Sequence, residues 1–184
     1  VHHTWRSTNG GTFSRSAIVV EASPFSDVPE GVYFTEAVIW AENVGLTTGV
    51  GGTDQFQPHR NITRAETITT LWRLAGAPTG APPSGFSDVP PNTFYSLAVA
   101  WARDAVLTTG VGGTNQFQPN RDITRAEVIT LLWRIAGMPA SSPQSGFSDV
   151  PTGAFYAPAV DWARAQGLTT GVGGTNQFQP NRNI

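Results

Sequence analysis

Residues 110–127 read GVGGTNQFQPNRDITRAE, and residues 49–66 repeat that string with only a few exchanges. The string begins a third time at Gly171 and reaches Ile184. Its first half, GVGGTNQFQP, is too rich in glycine and polar residues for a helix. It reads as a turn plus one short extended piece around Phe117. Its second half, ITRAE, opens a helix. Thr63 stands at the N-cap and Glu66 three residues on, so each side chain takes an orphan backbone N–H of the other. Replacing that threonine by alanine costs about 1 kcal/mol. Ala65, Ile68, Leu71, Trp72 and Ala75 continue the apolar stripe of this helix, and Gly76 terminates it.

Working outward, the surrounding chain repeats as well. Phe25, Phe86 and Phe147 each open FSDVP at a spacing of 61 residues. Trp40, Trp101 and Trp162 keep that spacing, as do Gly49, Gly110 and Gly171, and LTTGVGGTNQFQPNR at 107–121 recurs letter for letter at 168–182. Self-similarity at a fixed period marks a repeat architecture. In the first unit, YFTEAVIWAENVGL places Phe34, Ala37, Val38, Trp40, Ala41 and Val44 on one helical stripe. Gly45 fits the left-handed position past the helix end, where the other copies have Ala105 and Gly167 in the corresponding region. Trp40, Trp101 and Trp162 read either as rings that stack on a ligand or, as their helical spacing favours, as core, and Trp72 and Trp133 on the second helix read as core. Pro/Ser/Gly-rich linkers at 77–85 and 138–146 separate the units.

The reading is therefore helix–loop–helix units at 23–83 and 84–144, and a third at 145–184 that stops before its second helix. Residues 1–22 lie outside the pattern. Asn9-Gly10-Gly11 followed by Ile18 to Val20 reads as the last hairpin of an upstream β domain, or as a strand added to the repeats. The chain opens on Val1, and it is expected to be a piece of something longer.

Composition bounds the function. With 39% hydrophobic and 13% charged residues the chain is globular, and a net charge of −2 gives no general attraction to nucleic acid or an anionic membrane. There is no cysteine, which removes thiol catalysis and thiolate metal sites, and no stretch approaches the ~20 apolar residues of a membrane span. The glycine-rich loop does not fit an EF-hand or a P-loop, because Asp54 becomes Asn115 and Asn176 and no lysine follows. His2 and His3 lack partners for zinc, and His59, replaced by Asn120 and Asn181, reads as surface. No nucleophile–base pair is present. No catalytic residue, metal site or cofactor is expected.

Arg64 and Arg125 fall in the first turn of the ITRAE helices. A planar fork of donors beside the free N–H groups of a helix start suits a carboxylate held bidentately. The alternative is pairing with nearby acids on a solvated surface. Asp27, Asp88 and Asp149 precede helices and read either as ligand contacts or as capping and turn-making groups. The glycines allow backbone N–H groups to approach a ligand closely.

FSDVP, EAVIWAENVGLTTGVGG, QFQP, ITRAE and LWRLAG together resemble the S-layer homology domain family over about 22–184. The opening F-x-D-V, the mid-unit G-(I/L)-x-x-G, the G-x-F-x-P loop and the ITRAE helix start appear in the family's order. The resemblance implies a mainly α fold, with tandem repeats in a pseudo-threefold module whose ITRAE helices make a central bundle, preceded here by a short N-terminal β segment. It implies a non-catalytic anchor on the extracellular bacterial cell surface, holding secondary cell-wall polysaccharide, typically pyruvylated, in grooves between units. In the family the ITRAE arginine meets the pyruvyl carboxylate, which nominates Arg64 and Arg125. Asp27, Asp88 and Asp149 with Gly49, Gly110 and Gly171 complete the candidate set. Tyr33, Phe94 and Phe155 join it where the family often has tryptophan.

Two other functions compete: a self-assembling surface-layer or filament subunit, and the anchor of a surface hydrolase whose catalytic domain lies before Val1. With two ITRAE helices present, the stripes around Ile68, Leu71, Ile129 and Leu132 are expected to lack a third neighbour. Residues beyond Ile184, another chain or the N-terminal segment would then cover that face.

Overall fold

The computed structural model describes residues 22–140 and 143–184. The hairpin expected near residues 9–20 lies outside the described residues. Within them the secondary structure is five helices and no sheet: α1 (Thr35–Asn43), α2 (Arg64–Leu74), α3 (Ser96–Asp104), α4 (Arg125–Ile135) and α5 (Ala157–Ala165). α1, α3 and α5 are the first helices of the three units; α2 and α4 are the ITRAE helices.

Local chemistry sets the helix ends. Thr63 accepts from the Glu66 N–H while the Glu66 carboxylate accepts from the Thr63 N–H, and Thr124 and Glu127 repeat this at α4. At the far end of α1 the Gly45 N–H bonds Glu42 O at 2.8 Å and the Leu46 N–H reaches back to Ala41 O at 2.7 Å. These two bonds require a left-handed residue between helix and loop. α3 closes the same way, with Leu107 N–H to Ala102 O at 2.7 Å. The left-handed position there is Val106 (φ 58°), the counterpart of Gly45 and Gly167 at the 61-residue spacing, so the expected Ala105 stands one residue early, at the C-cap.

The expected extended piece around Phe117 forms no strand. Extended pairing appears instead as isolated bridges, Thr63 with Asp122 and Thr124 with Asn183. They flank a three-membered backbone ring. Ile123 N–H donates to Ile62 O (3.1 Å), Ile184 N–H to Ile123 O (3.3 Å), and Ile62 N–H to Ile184 O (2.6 Å). Because each residue is the same position of its unit, this ring marks a pseudo-threefold axis. Asp122 accepts there from Asn61 (2.8 Å) and Asn183 (3.3 Å).

The helices pair across units rather than within them. α2 packs on α3 and α4 on α5. Ala65, Ile68 and Leu71 of α2 join Ala98, Val99 and Ala102 of α3 in one core. Ala126 and Ile129 of α4 join Ala159, Val160 and Ala163 of α5 in the next. The expectation that Ile68, Leu71 and Ile129 would want a third neighbour is therefore corrected: all three are buried, covered by the following unit's first helix, and Leu132 is half-buried between the two cores. Among the described residues, the uncovered face is on α1. Ala98 and Ala159 are fully buried, whereas their counterpart Ala37 is exposed and Trp40 is 54% exposed, against the expectation that it is core. Trp101 and Trp162 do pack on their cores.

Candidate functional site

The loops are built from within. In each unit the FSDV aspartate carboxylate clamps the G-x-F-x-P loop of the same unit. Asp27 accepts from the N–H groups of Phe56 (2.8 Å) and Gln57 (2.7 Å). Asp88 does so from Phe117 and Gln118, both at 2.8 Å, and Asp149 from Phe178 (2.8 Å) and Gln179 (2.7 Å). The Phe56 N–H is the largest influence holding the Asp27 carboxyl below its ordinary value. Gln57, Gln118 and Gln179 take left-handed backbone at φ 57°, 58° and 57°, which turns two successive N–H groups toward one carboxylate. These aspartates thus face their own loops.

Gly49, Gly110 and Gly171 lie beneath those loops. A Cβ on Gly110 would stand 2.8 Å from Thr114 O, 2.9 Å from Gln116 O and 3.0 Å from the Phe86 ring, so only glycine lets the loop close on that phenylalanine. Gly51, Gly52, Gly112 and Gly113 have open space where a side chain would be, and their backbone is the part of the loop that an outside molecule can approach.

The ITRAE arginines bind unit to unit. Arg64 is 6% exposed. Its Nε donates to Phe117 O (2.8 Å), its Nη1 to Glu127 (2.9 Å), and its guanidinium lies 4.8 Å from the Phe117 ring centroid. Burial pushes its pKa down, opposed by the Glu127 charge. Glu127 also pairs with Arg121. Burial pushes the Glu127 carboxyl up, but Arg121, the Thr124 N–H and Arg64 outweigh it and hold it below its ordinary value. Arg125 repeats the arrangement one unit on, with Nε to Phe178 O at 2.8 Å and the ring at 4.8 Å, but half-buried and with no acidic partner among the described residues.

The three aromatic candidates point outward. Tyr33 is 98%, Phe94 64% and Phe155 67% exposed, each edge-on to the buried or half-buried aromatic that follows it. Phe94 borders a cleft of about 650 Å³ whose other walls include the loop Thr48–Gly52 of the preceding unit and Thr70 and Arg73 of α2. The structure thus brings one unit's aromatic to the preceding unit's glycine loop, and it keeps Arg64 and the aspartates out of the cleft lining. Arg73 was missed by sequence reasoning. Its Nη1 donates to Leu46 O (3.1 Å), and Arg134 makes the same bond to Leu107 O (2.7 Å). The signal was present in the repeated Trp-Arg pair at 72–73 and 133–134, which the apolar stripe overshadowed. Among the described residues, no helix is long and apolar enough to cross a membrane.

An alignment of 201 positions, covering 99% of this chain and 23% of the relative, is 23% identical to the S-layer protein sap of Bacillus anthracis. The endo-1,4-beta-xylanase A of Thermoanaerobacterium saccharolyticum is 31% identical over 118 residues, 60% of this chain and 9% of that protein. A cell surface protein of Thermoanaerobacter kivui is 34% identical over 104 residues, 54% of this chain and 13% of that protein. The chain therefore spans less than a quarter of the length of each of these relatives. The model of the S-layer homology domain matches three times, at residues 24–68, 85–129 and 146–184, and the relatives place such domains at the cell surface. The chain belongs to the S-layer homology domain family.

Proposed function

We propose that this chain is a non-catalytic anchoring module that holds a secondary cell-wall polysaccharide, pyruvylated for preference, in the grooves between adjacent units. The observation that carries this reading is the cleft where Phe94 of one unit faces the Thr48–Gly52 loop of another, with Arg73 in the same wall. Such a cleft offers a ring for the apolar face of a sugar, backbone at Gly51 and Gly52 with open space where a side chain would stand, and a cation for a ketal carboxylate. Phe94 and its counterparts Tyr33 and Phe155 make the contact. Gly49, Gly110 and Gly171 bend the loops into place and Asp27, Asp88 and Asp149 hold them there. Arg64 and Arg125 act from below by locking each loop to the preceding unit's helix, with Arg125 the more accessible of the two.

The test is co-sedimentation with purified sacculi carrying pyruvylated polysaccharide, before and after mild acid removal of the ketals. Phe94→Ala is run beside the parent. Retention should fall after acid treatment and fall several-fold in Phe94→Ala, whose exposed ring leaves thermal stability unchanged. Undiminished retention in both arms would refute the reading. Self-assembly is the second reading, favoured by the match of 99% of this chain to a protein named for the S-layer. It requires ordered association without sugar. The similarity to a xylanase suggests a third role, the anchor of a larger surface hydrolase.

A further inference from the structure

Phe94 and Tyr95 are neighbours in the chain and stand edge-on at 5.0 Å, yet they line different hollows. Phe94 borders the cleft toward the preceding unit. Tyr95 lines an open pocket of about 430 Å³ with Asp88, Pro90, Pro119, Asn120 and Arg121. All of these belong to the second unit, so the pocket lies within one repeat, and none of them lines the cleft. Its volume falls among those of small-molecule clefts, about 300–1,000 Å³.

The charged groups of this pocket are already engaged. Asp88 accepts from the Phe117 and Gln118 N–H groups, both at 2.8 Å. Arg121 donates Nε to Gln118 Oε1 (2.9 Å), Nη1 to Asp122 O (3.2 Å) and Nη2 to Glu127. What remains is neutral. The Asn120 side chain is exposed and makes no hydrogen bond among the described residues. Tyr95 is 8% exposed, and its hydroxyl has no partner among the described residues. No polar atom of a buried side chain there is both enclosed and unpaired, so this oxygen reaches the surface where the ring lines the pocket. A hydroxyl and an amide can each donate and accept, as sugar hydroxyls require. Pro90 and Pro119 add apolar walls for the C–H face of a ring.

We propose that this pocket binds an uncharged sugar residue through the Tyr95 hydroxyl and the Asn120 amide. The site is separate from the cleft and does not depend on pyruvylation or on the reading of the cleft. The third unit carries the same pair, Tyr156 and Asn181. The first unit has Phe34 and His59 instead, ring centroids 6.0 Å apart and edge-on, and so offers neither the hydroxyl nor the amide. It is a natural blank built on the same loop.

The test follows backbone amide shifts of the whole isotope-labelled chain. The probes are the trimer of N-acetylglucosamine, maltotriose and, as the charged counterpart, glucuronate at constant ionic strength. A neutral trisaccharide should shift residues 88–95 and 118–121 saturably, with a dissociation constant on the order of 1 mM, and leave residues 27–34 unmoved. Tyr95→Phe with Asn120→His installs the pair with which the first unit folds. It should weaken binding roughly tenfold at an unchanged melting temperature. Phe34→Tyr with His59→Asn should bring saturable shifts to residues 27–34. Absence of shifts at 88–95 and 118–121 with both trisaccharides would overturn the proposal, as would binding there that survives the double exchange or favours glucuronate. Shifts confined to residues 47–52 would put the sugar in the cleft, upholding that reading and sinking this one.

Discussion

Arg64→Ala separates an arginine that builds the fold from one that waits for a ligand. Arg64 is 6% exposed and makes two charge-assisted bonds, at 2.8 Å to Phe117 O and 2.9 Å to Glu127, with the Phe117 ring 4.8 Å away. Charge-assisted bonds contribute about 1.5–3 kcal/mol each, and breaking a buried pair costs about 3–5 kcal/mol when the partner is stranded. Glu127 is not stranded, because Arg121 and the Thr124 N–H remain on it. The expected loss is therefore about 3 kcal/mol. At roughly 2–4 °C per kcal/mol for a chain of this size, that lowers the melting temperature by about 6–12 °C. Arg125→Ala removes one such bond from a half-buried side chain with no ion pair among the described residues, and should cost about 1–1.5 kcal/mol. Urea unfolding of both variants, with a double-mutant cycle on Arg64 and Glu127, measures the difference. If Arg64→Ala unfolds like the parent yet loses retention on sacculi, the internal role argued here is wrong. Equal losses for the two arginines would equally refute the weight placed on Glu127.

Three further outcomes follow from the same structure. Val106→Gly should raise stability by about 0.5–1 kcal/mol in urea unfolding, since a β-branched residue at φ 58°, 62% exposed, gives up strain and little burial. Gly110→Ala should cost about 3 kcal/mol or more, because its Cβ meets Thr114 O at 2.8 Å, whereas Gly112→Ala, with open space around it, should cost about 1 kcal/mol from backbone strain alone. Glu66 and Glu127 are both held below the ordinary value of 4.5 in the folded chain, so the unfolded chain binds more protons as acid is added. Their stabilisation is complete above that value and is lost as pH falls through the folded-state values. The melting temperature should drop between about pH 5 and 3, and Glu127→Gln should flatten that drop.

The caps, stripes and turns were legible because they are local. Thr63 with Glu66 forms the capping box its spacing announced, and the Phe-Ser-Asp-Val and ITRAE motifs marked the three matched segments in register. Local signals failed where a neighbour decides. The helical spacing of Trp40 matches that of Trp101 and Trp162, yet it is exposed because no described helix lies over α1.

The sequence by itself determined the period, the helices and their ends, since these depend on contacts within four or five residues that each copy carries complete. Only the tertiary structure decided that each ITRAE helix buries its stripe in the following unit, that Arg64 is turned inward onto Phe117 O and Glu127, and that Phe94 and Arg73 line the cleft between units. Three nearly identical units present nearly identical faces, so nothing in the local pattern says which copy meets which. The backbone ring of Ile62, Ile123 and Ile184 makes that choice by fixing each helix start beside the next unit's loop.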